Sequence, residues 1–183
     1  GFIVVIISAA LGVVLGGVDF YPNRKLGVIT DVTRRFYAGW DEEKYRHYLS
    51  LFALDETKKV SQLSSGMRVK YMLALALSHD ARLLILDEPT SGLDPVSRDE
   101  LVELFRGVVQ SGERSILFST HITSDLEKCA SHITMIKDGE ILRSDTCDGF
   151  LAHYRAQLGD ETLSLEDILV RVERRSYDGK DFL

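Results

Sequence analysis

Two carboxylates directly follow an apolar run in the middle of the chain. Residues 83–94 read Leu-Leu-Ile-Leu-Asp-Glu-Pro-Thr-Ser-Gly-Leu-Asp, so Asp87 and Glu88 come at the end of a predicted strand, where ligands of open α/β sheets bind. Carboxylate oxygens hold Mg²⁺ in many sites, which makes Asp87 a candidate metal ligand. Glu88 could orient and polarise a water molecule for in-line attack on a phosphate. The alternative is a pair of helix-capping acids after a core strand.

A second candidate site lies at the start of a long helical segment. The run Leu-Ser-Ser-Gly-Met places Ser64, Ser65 and Gly66 just before the predicted helix 68–78. Their hydroxyl and backbone N–H groups therefore stand at a helix N-terminus, which attracts phosphate. An ordinary serine cap followed by a glycine explains the same residues.

One histidine has a placement that suits chemistry. His121 ends the run Ser-Thr-His after the apolar segment 115–119, where an imidazole could hydrogen-bond a terminal phosphate. A lone histidine after a strand more often has a structural role. The remaining histidines are assigned to surface or helix-face positions: His47, His79, His132 and His153.

The segments that carry these residues alternate between strand and helix patterns. The apolar run 83–86 predicts a strand buried on both faces of a parallel sheet, and 115–119 predicts the next strand. Between them, Asp94 and the proline after it begin a predicted helix. Another helix is expected over 123–129, with Ser124 as its cap. This alternation predicts a doubly wound α/β sheet.

The flanking parts of the chain have weaker patterns. Asp41 is a good N-cap within a region, about 30–78, that reads as helical, and Asp138 with the glycine after it predicts a two-residue hairpin turn. A short helical pattern surrounds Leu165. The first eighteen residues carry no charge, but their glycines and β-branched pairs favour buried strands, one of them over 12–15, rather than a membrane span.

Composition excludes several classes of protein. The 183 residues are 45% hydrophobic and 27% charged, which is typical of a globular domain. The net charge of −6 leaves no basic footprint, so nucleic acid is not expected as a partner. The two cysteines, Cys129 and Cys147, are far apart in the sequence and adjoin no histidine cluster, which indicates a reducing, cytosolic setting.

Taken together and in this order, the three segments resemble the signature, Walker B, D-loop and switch-histidine motifs of ABC transporter ATP-binding domains. The resemblance runs from about residue 11 to 154. The stretch 36–41, Met67 at the end of the signature and the stretch 121–127 resemble the branch that serves bacterial ABC-2-type exporters. The fold implied is an α/β, RecA-like P-loop NTPase core with an inserted helical subdomain, and with its first lobe missing or reorganised.

The resemblance assigns a role to each candidate residue. Asp87 would hold Mg²⁺ through water, Glu88 would be the general base, and His121 would contact the γ-phosphate and the attacking water. The signature residues would bind the γ-phosphate of an ATP held by a second subunit, with the D-loop aspartate reaching across the same interface: Ser64, Ser65, Gly66 and Asp94. Hydrolysis would thus need a homo- or heterodimer.

The resemblance also has gaps. The pattern Gly-x-x-x-x-Gly-Lys-[Ser/Thr] of the Walker A loop occurs nowhere, since the only Gly-Lys pair, Gly179 and Lys180, is followed by Asp181. Gly16 and Gly17 stand where the family's Q-loop carries a glutamine or a carboxylate. We therefore expect an N-terminally incomplete domain that is inactive alone, with a natural nucleotide-free variant as the alternative.

The domain organisation expected from the resemblance is a single partial ATPase domain over 1–183. The helical subdomain with the signature would occupy about 26–78, the catalytic core about 79–158, and a tail 159–183. The expected function is ATP hydrolysis that energises an exporter with separate transmembrane permease subunits, at the cytoplasmic face of the cell membrane. The alternatives are a non-transport ABC ATPase and an inactive interaction module of the same fold.

Overall fold

The computed structural model describes residues 11–15 and 21–173. The described residues form two compact units, the first ending at His121 and the second beginning at Ile122. Expectations for the first ten residues, for the two glycines at 16 and 17 and for the end of the tail lie outside the described residues.

The first unit contains a three-stranded parallel sheet. Its strands are β1 (Leu11–Leu15), β2 (Leu83–Asp87) and β3 (Ser115–Ser119), in the order β1-β2-β3. Asp87 lies opposite Ser119 in the register of β2 and β3. The predicted strands are confirmed, including the core strand expected over 12–15. Because the three strands run parallel, their carboxyl ends meet at one edge of the sheet.

Two helices cover one face of this sheet. They are α3 (Ser65–Ser78) and α4 (Pro95–Val109), and their apolar residues form one core with Val14, Leu84 and Leu86. These three strand residues are almost completely buried, with exposed fractions of 0%, 0% and 1%. Side chains alternate between the two faces of a strand, so the same three positions define the packed face.

Gly12 allows α3 to approach the sheet closely. A Cβ atom at this position would lie 2.7 Å from Ala76 Cβ and 2.7 Å from Leu84 Cδ2, distances that real Cβ atoms do not show. One of these neighbours belongs to α3 and the other to β2. A side chain at position 12 would therefore push the helix away from the sheet.

Among residues 11–15 and 21–173, no helix packs on the opposite face of the sheet, which corrects the prediction of a strand buried on both faces. Val13 is 46% exposed, Leu83 36% and Leu117 61%, and all three lie on the face that α3 and α4 do not cover. The apolar run of β2 resembles a doubly buried strand in sequence. In the structure only its alternate residues, Leu84 and Leu86, are packed against helices.

The segment between β1 and α3 is helical but interrupted. It contains α1 (Leu26–Thr33), a single 3₁₀ turn at Arg34–Phe36, α2 (Glu42–Leu51) and a second 3₁₀ turn at Val60–Gln62. The predicted cap of α2 is confirmed, because a side-chain oxygen of Asp41 accepts hydrogen bonds from two backbone N–H groups of the first turn, at 3.0 and 2.9 Å. These elements enclose an apolar cluster of their own with α3.

A buried network of hydroxyl groups ties α1, α2 and α3 together. The Thr30 hydroxyl lies 2.7 Å from the Tyr45 hydroxyl and 2.9 Å from that of Tyr71. Tyr45 donates to Glu56 Oε1 at 3.0 Å, and Tyr71 donates to the Leu26 carbonyl at 3.0 Å. Burial raises the pKa of both phenols well above its usual range. The folded chain therefore keeps both tyrosines neutral and hydrogen-bonded.

The second unit combines a hairpin with three helices. Its elements are α5 (Thr123–Cys129), β4 (His132–Lys137), β5 (Glu140–Thr146), α6 (Cys147–Leu158) and α7 (Leu165–Glu173). The strands pair antiparallel, and their inner residues form a core with α6 and α7.

In the second unit, the structure confirms the predicted hairpin turn and corrects one predicted helix cap. Asp138 and Gly139 both have positive φ, +51° and +82°, which confirms the two-residue hairpin turn. The helix Thr123–Cys129 is also confirmed, but Ser124 is not its cap. Ile122 holds the cap position without a side-chain hydrogen bond, and Ser124 lies inside the first turn.

Within residues 11–15 and 21–173, no helix combines the length and the apolar character needed to cross a membrane.

Tyr71→Phe should destabilise the first unit, because the Leu26 carbonyl and the Thr30 hydroxyl would lose a buried partner. We expect a loss of about 1–3 kcal/mol in the free energy of unfolding. The stabilisation from neutral tyrosines is complete below about pH 10 and is lost as pH rises, because the unfolded chain ionises first. The variant should therefore lose stability less steeply than the wild type in alkali.

Urea unfolding followed by circular dichroism, at neutral pH and above about pH 10, measures both effects. Tyr21→Phe is the matched control, since Tyr21 is 69% exposed and should unfold as the wild type does. Equal stability of Tyr71→Phe and Tyr21→Phe would contradict a stabilising network.

Candidate functional site

Ser119 connects the ends of β2 and β3. Its hydroxyl donates to Asp87 Oδ1 at 2.6 Å, and it accepts a hydrogen bond from the Glu88 N–H at 3.0 Å. The same N–H lies 3.2 Å from the Ser119 carbonyl oxygen. One serine therefore holds the carboxylate of the last strand residue and the backbone of the next residue in fixed positions.

Glu88 and His121 lie within hydrogen-bond distance. His121 Nδ1 is 3.0 Å from Glu88 Oε1, and the imidazole side chain is 72% exposed while that of Glu88 is 35% exposed. Glu88 Oε2 is buried and has no hydrogen-bond partner among the described residues. A buried carboxylate oxygen without a partner is suited to accept a hydrogen bond from a water molecule or a ligand.

The backbone at Glu88 is strained. Its φ is +44°, a left-handed conformation that non-glycine residues seldom adopt and that occurs at active sites. The two hydrogen bonds from its N–H to Ser119 hold this conformation in place. In this conformation the Glu88 side chain contacts His121.

The carboxylates at the carboxyl edge of the sheet suit one of the ways in which proteins hold Mg²⁺. No group of three or more potential metal ligands occurs among residues 11–15 and 21–173, so these residues do not form an all-protein cage. Mg²⁺ commonly keeps several waters and binds through one or two carboxylates together with phosphate oxygens. Asp87, positioned by Ser119 and exposed to solvent, fits that mode.

The signature residues form the start of α3. Ser64 is the N-cap, and its side-chain oxygen accepts the Met67 N–H at 3.2 Å, while Ser65 is the first helical residue. The serine-cap interpretation of this segment is thus correct for Ser64, and it leaves the phosphate-binding interpretation untested. Gly66 is buried beside α4, since a Cβ there would lie 3.6 Å from Ser97 Cβ.

Asp94 is the N-cap of α4. Its Oδ1 accepts the N–H groups of Val96 and Ser97 at 3.1 and 3.0 Å, and its Oδ2 accepts the Ser97 hydroxyl at 2.6 Å. The Ser97 hydroxyl, followed by these backbone N–H groups, lowers the pKa of the Asp94 carboxyl below its usual range. The predicted cap is confirmed, and the assignment to a neighbouring subunit stays a prediction.

The structure therefore brings the candidate residues together in two groups. Asp87, Glu88 and His121 meet at the ends of β2 and β3. Ser64 to Gly66 lie beside the start of α4, where Asp94 is the cap. Within residues 21–173, no hydrogen bond joins the two groups.

Two residues have roles that sequence reasoning missed. The sequence places Ser119 only at the end of a predicted strand, just before His121, and the structure sets it in register with Asp87. His79 was assigned to a surface or helix-face position, which is wrong. It is 4% exposed, and its ring stacks on Tyr37 with the ring centroids 3.8 Å apart.

A known family model matches more than half of the chain. The family is described as "AAA domain, putative AbiEii toxin, Type IV TA system", and the match covers residues 26–124. This range includes the signature segment, β2, β3 and all the candidate site residues.

Curated relatives carry the names of transport proteins. The chain is 30% identical over 122 residues to the ABC transporter ATP-binding protein YtrB of Bacillus subtilis, a match that covers 67% of this chain and 42% of the relative. It is 34% identical over 128 residues to the bacitracin transport ATP-binding protein BcrA of Bacillus licheniformis, covering 69% and 42%. The lantibiotic transport ATP-binding protein SrtF of Streptococcus pyogenes is 38% identical over 94 residues, covering 51% and 41%. The matched part of the chain spans less than half the length of these relatives.

Solved structures share the fold. An ATP-binding subunit of an ABC transporter superposes with a TM-score of 0.73 at 24% identity, covering 91% of this chain and 69% of that one. A dimeric ATP-binding cassette in a post-hydrolysis state, bound to ADP and Pi, gives a TM-score of 0.62 at 21% identity, covering 74% and 62%. The predicted fold class is confirmed. The chain belongs to the AAA-type domain family that matches residues 26–124, its curated relatives are ABC transporter ATP-binding proteins, and its fold is that of ABC ATPase domains.

Proposed function

We propose that this chain is part of the ATP-hydrolysing subunit of an ABC-type exporter, and that Glu88 is its general base. The observation that carries the proposal is the linked group at the ends of β2 and β3. Ser119 holds Asp87 and the Glu88 backbone, and Glu88 contacts His121 at 3.0 Å. Carboxylates and an imidazole at the carboxyl edge of a parallel sheet suit the hydrolysis of a phosphate ester or anhydride.

Each residue has a distinct part in the proposed reaction. Glu88 accepts the proton of the attacking water through Oε2, which has no hydrogen-bond partner among the described residues, and His121 positions the same carboxylate and contacts the terminal phosphate. Asp87 would hold Mg²⁺ through a water molecule. Mg²⁺, when bound, would neutralise phosphate charge during the transfer.

The residues at the start of α3 suit a nucleotide that is bound to another subunit. Ser64 and Ser65 are exposed at the N-terminus of α3, a location that favours anions. We propose that they bind, with Gly66, the γ-phosphate of an ATP on a second subunit, while Asp94 orders the adjoining turn. The protein would then work as a dimer, with transmembrane permease subunits, at the cytoplasmic face of the membrane.

A second candidate function is an inactive interaction module of the same fold. The 183 residues contain no Gly-x-x-x-x-Gly-Lys-[Ser/Thr] pattern. The backbone N–H groups and the lysine of such a loop make most of the contacts that bind the nucleotide phosphates. The two candidates differ in whether Glu88 promotes hydrolysis once a phosphate-binding loop is supplied.

Glu88→Gln should abolish hydrolysis and preserve nucleotide binding, because an amide of the same shape is a very poor proton acceptor. The test uses a chimera in which the first lobe of a curated relative's ATP-binding domain precedes this chain. We expect ATPase turnover to fall about a hundredfold or more, with ATP-bound dimers accumulating. Turnover within a few fold of the unsubstituted chimera would contradict the role of Glu88, and a folded chimera that never hydrolyses ATP would favour the inactive module.

Ser119→Ala should lower turnover in the same chimera by about tenfold, because Asp87 and the Glu88 backbone lose a shared hydrogen-bond partner. The KM for ATP should change less than kcat. Ser115→Ala is the matched control, since Ser115 is exposed and begins the same strand. Equal turnover in the two variants would mean that Ser119 does not position the site.

The chain by itself should bind Mg-ATP only in the millimolar range. Hydrogen bonds to charged groups contribute about 1.5–3 kcal/mol each, so the lack of two or three phosphate-loop donors weakens binding about a thousandfold. Asp87 and Glu88 cannot replace them, because both are acidic. Isothermal titration of the purified chain measures the affinity directly, and a low micromolar dissociation constant would mean that other residues of this chain hold the phosphates.

A further inference from the structure

We propose that Ser97 is a positioning residue that joins the turn before α4 to the turn before α3. Its hydroxyl fixes the Asp94 carboxylate and its Cβ packs beside Gly66, so that both turns meet a partner's nucleotide as one preformed surface. The inference rests on the proposed function, in which these turns serve an ATP held by a second subunit. Ser97 itself lies outside the two sequence motifs, 63–67 and 83–94.

The Ser97 hydroxyl makes a contact that helix capping does not require. Asp94 Oδ1 accepts the N–H groups of Val96 and Ser97 at 3.1 and 3.0 Å, and these two bonds cap α4. The hydroxyl bonds the other carboxylate oxygen, Oδ2, at 2.6 Å. Because both oxygens are engaged, the Asp94 side chain is held in one orientation. Without the hydroxyl the cap would remain, but Oδ2 would lose this partner and the carboxylate would be freer to turn.

The same serine lies against the start of α3. A Cβ atom at position 66 would stand 3.6 Å from Ser97 Cβ and 3.9 Å from Ser97 Oγ, which are ordinary van der Waals distances. It would also lie 3.7 Å from Cδ2 of Leu93, a buried residue. The Gly66 backbone therefore faces two residues that flank Asp94 in the sequence, one before it and one after it.

An ion pair continues this contact one turn further along both helices. Lys70 lies four residues after Gly66, and its Nζ is 2.7 Å from Oε2 of Glu100, which lies three residues after Ser97. The Lys70 side chain is 21% exposed, so solvent screens its charge less than at a fully exposed position. Residues three or four apart lie on one face of a helix. The same faces of α3 and α4 therefore meet over two turns, which aligns the two helix starts.

This alignment suits a nucleotide that contacts both turns. If the turns moved independently, binding of the partner's nucleotide would have to order each of them, and ordering costs free energy. The Ser97 hydroxyl holds Asp94 to the helix that packs on Gly66, so part of that ordering is complete before the nucleotide arrives. In this role Ser97 acts through Asp94 and Gly66 and needs no contact with the nucleotide.

The hydroxyl also leaves a local signal that does not depend on any nucleotide. It is the largest of the hydrogen-bond effects that lower the pKa of the Asp94 carboxyl below its usual range. Loss of the hydroxyl should therefore let the pKa of Asp94 rise, while the backbone N–H groups still hold Oδ1. The position of the carboxylate and its pKa report on the same contact.

The first measurement uses the chain as it is. In Ser97→Ala the pKa of Asp94, followed by NMR of its isotope-labelled carboxyl carbon, should rise toward its usual range. Ser97→Thr should keep this pKa low, because threonine retains the hydroxyl. An unchanged pKa in Ser97→Ala would overturn the proposal, since the hydroxyl would then not hold the carboxylate.

The second measurement uses the chimera with a relative's first lobe, with Glu88→Gln to block hydrolysis. Ser97→Ala should raise the ATP concentration for half-maximal dimer formation, measured by light scattering, about fivefold, whereas Ser97→Thr should stay within about twofold. ATP affinity of the dilute monomer should be equal in all forms, because the supplied lobe holds that nucleotide. A merely destabilised domain would not show this separation of monomer binding from dimer formation.

Ser164→Ala is the matched control. The Ser164 hydroxyl also donates to a carboxylate oxygen at the start of a helix, Asp167 Oδ2 at 2.6 Å, and it lowers the pKa of Asp167. This variant should raise the pKa of Asp167 and reduce stability, yet it should leave dimer formation within about twofold of the unsubstituted chimera.

The outcomes separate this inference from the proposed function. If Ser97→Ala forms dimers as readily as the unsubstituted chimera, or loses dimers only as much as Ser164→Ala does, the positioning role is overturned. The same follows if Ser97→Thr behaves like Ser97→Ala, since the hydroxyl would then not be the group that matters. A folded chimera with Ser97 intact that never dimerises with ATP would overturn the proposed function, and this inference with it.

Discussion

The parallel register of β2 and β3 is the constraint on which the candidate site depends. It places Ser119 opposite Asp87, so that one hydroxyl bonds the Asp87 carboxylate and receives the Glu88 N–H. These bonds hold Glu88 in a left-handed backbone conformation and direct its side chain to His121. A slip of one residue in this register would turn Ser119 to the opposite face and separate all four groups.

Packing on one face of the sheet maintains that register. The inner residues of β1 and β2 are buried under α3 and α4, and the lack of a side chain at Gly12 lets α3 come close. The same two helices begin at Ser64 and Asp94, the two capped turns that form the second group of candidate residues. One packed layer therefore positions both groups, although they lie on different elements.

The helical segment before α3 is organised by polar contacts as much as by apolar ones. The hydroxyl groups of Thr30, Tyr45 and Tyr71 link three helices in a buried network. This network holds α1 against α2 and α3, while Val28 and Val32 of α1 stay exposed.

The sequence by itself predicted the strands, most helices and the candidate site residues. Apolar runs ending in Asp87 and in Ser119, and caps such as Asp41 and Asp94, depend on local patterns that single segments carry. Only the tertiary structure decided which of these residues meet, because hydrogen bonds such as that between Ser119 and Asp87 join positions far apart in the chain. It also decided that His79 is buried and that, among the described residues, helices cover only one face of the sheet, since burial depends on which helices pack where and local periodicity does not specify this.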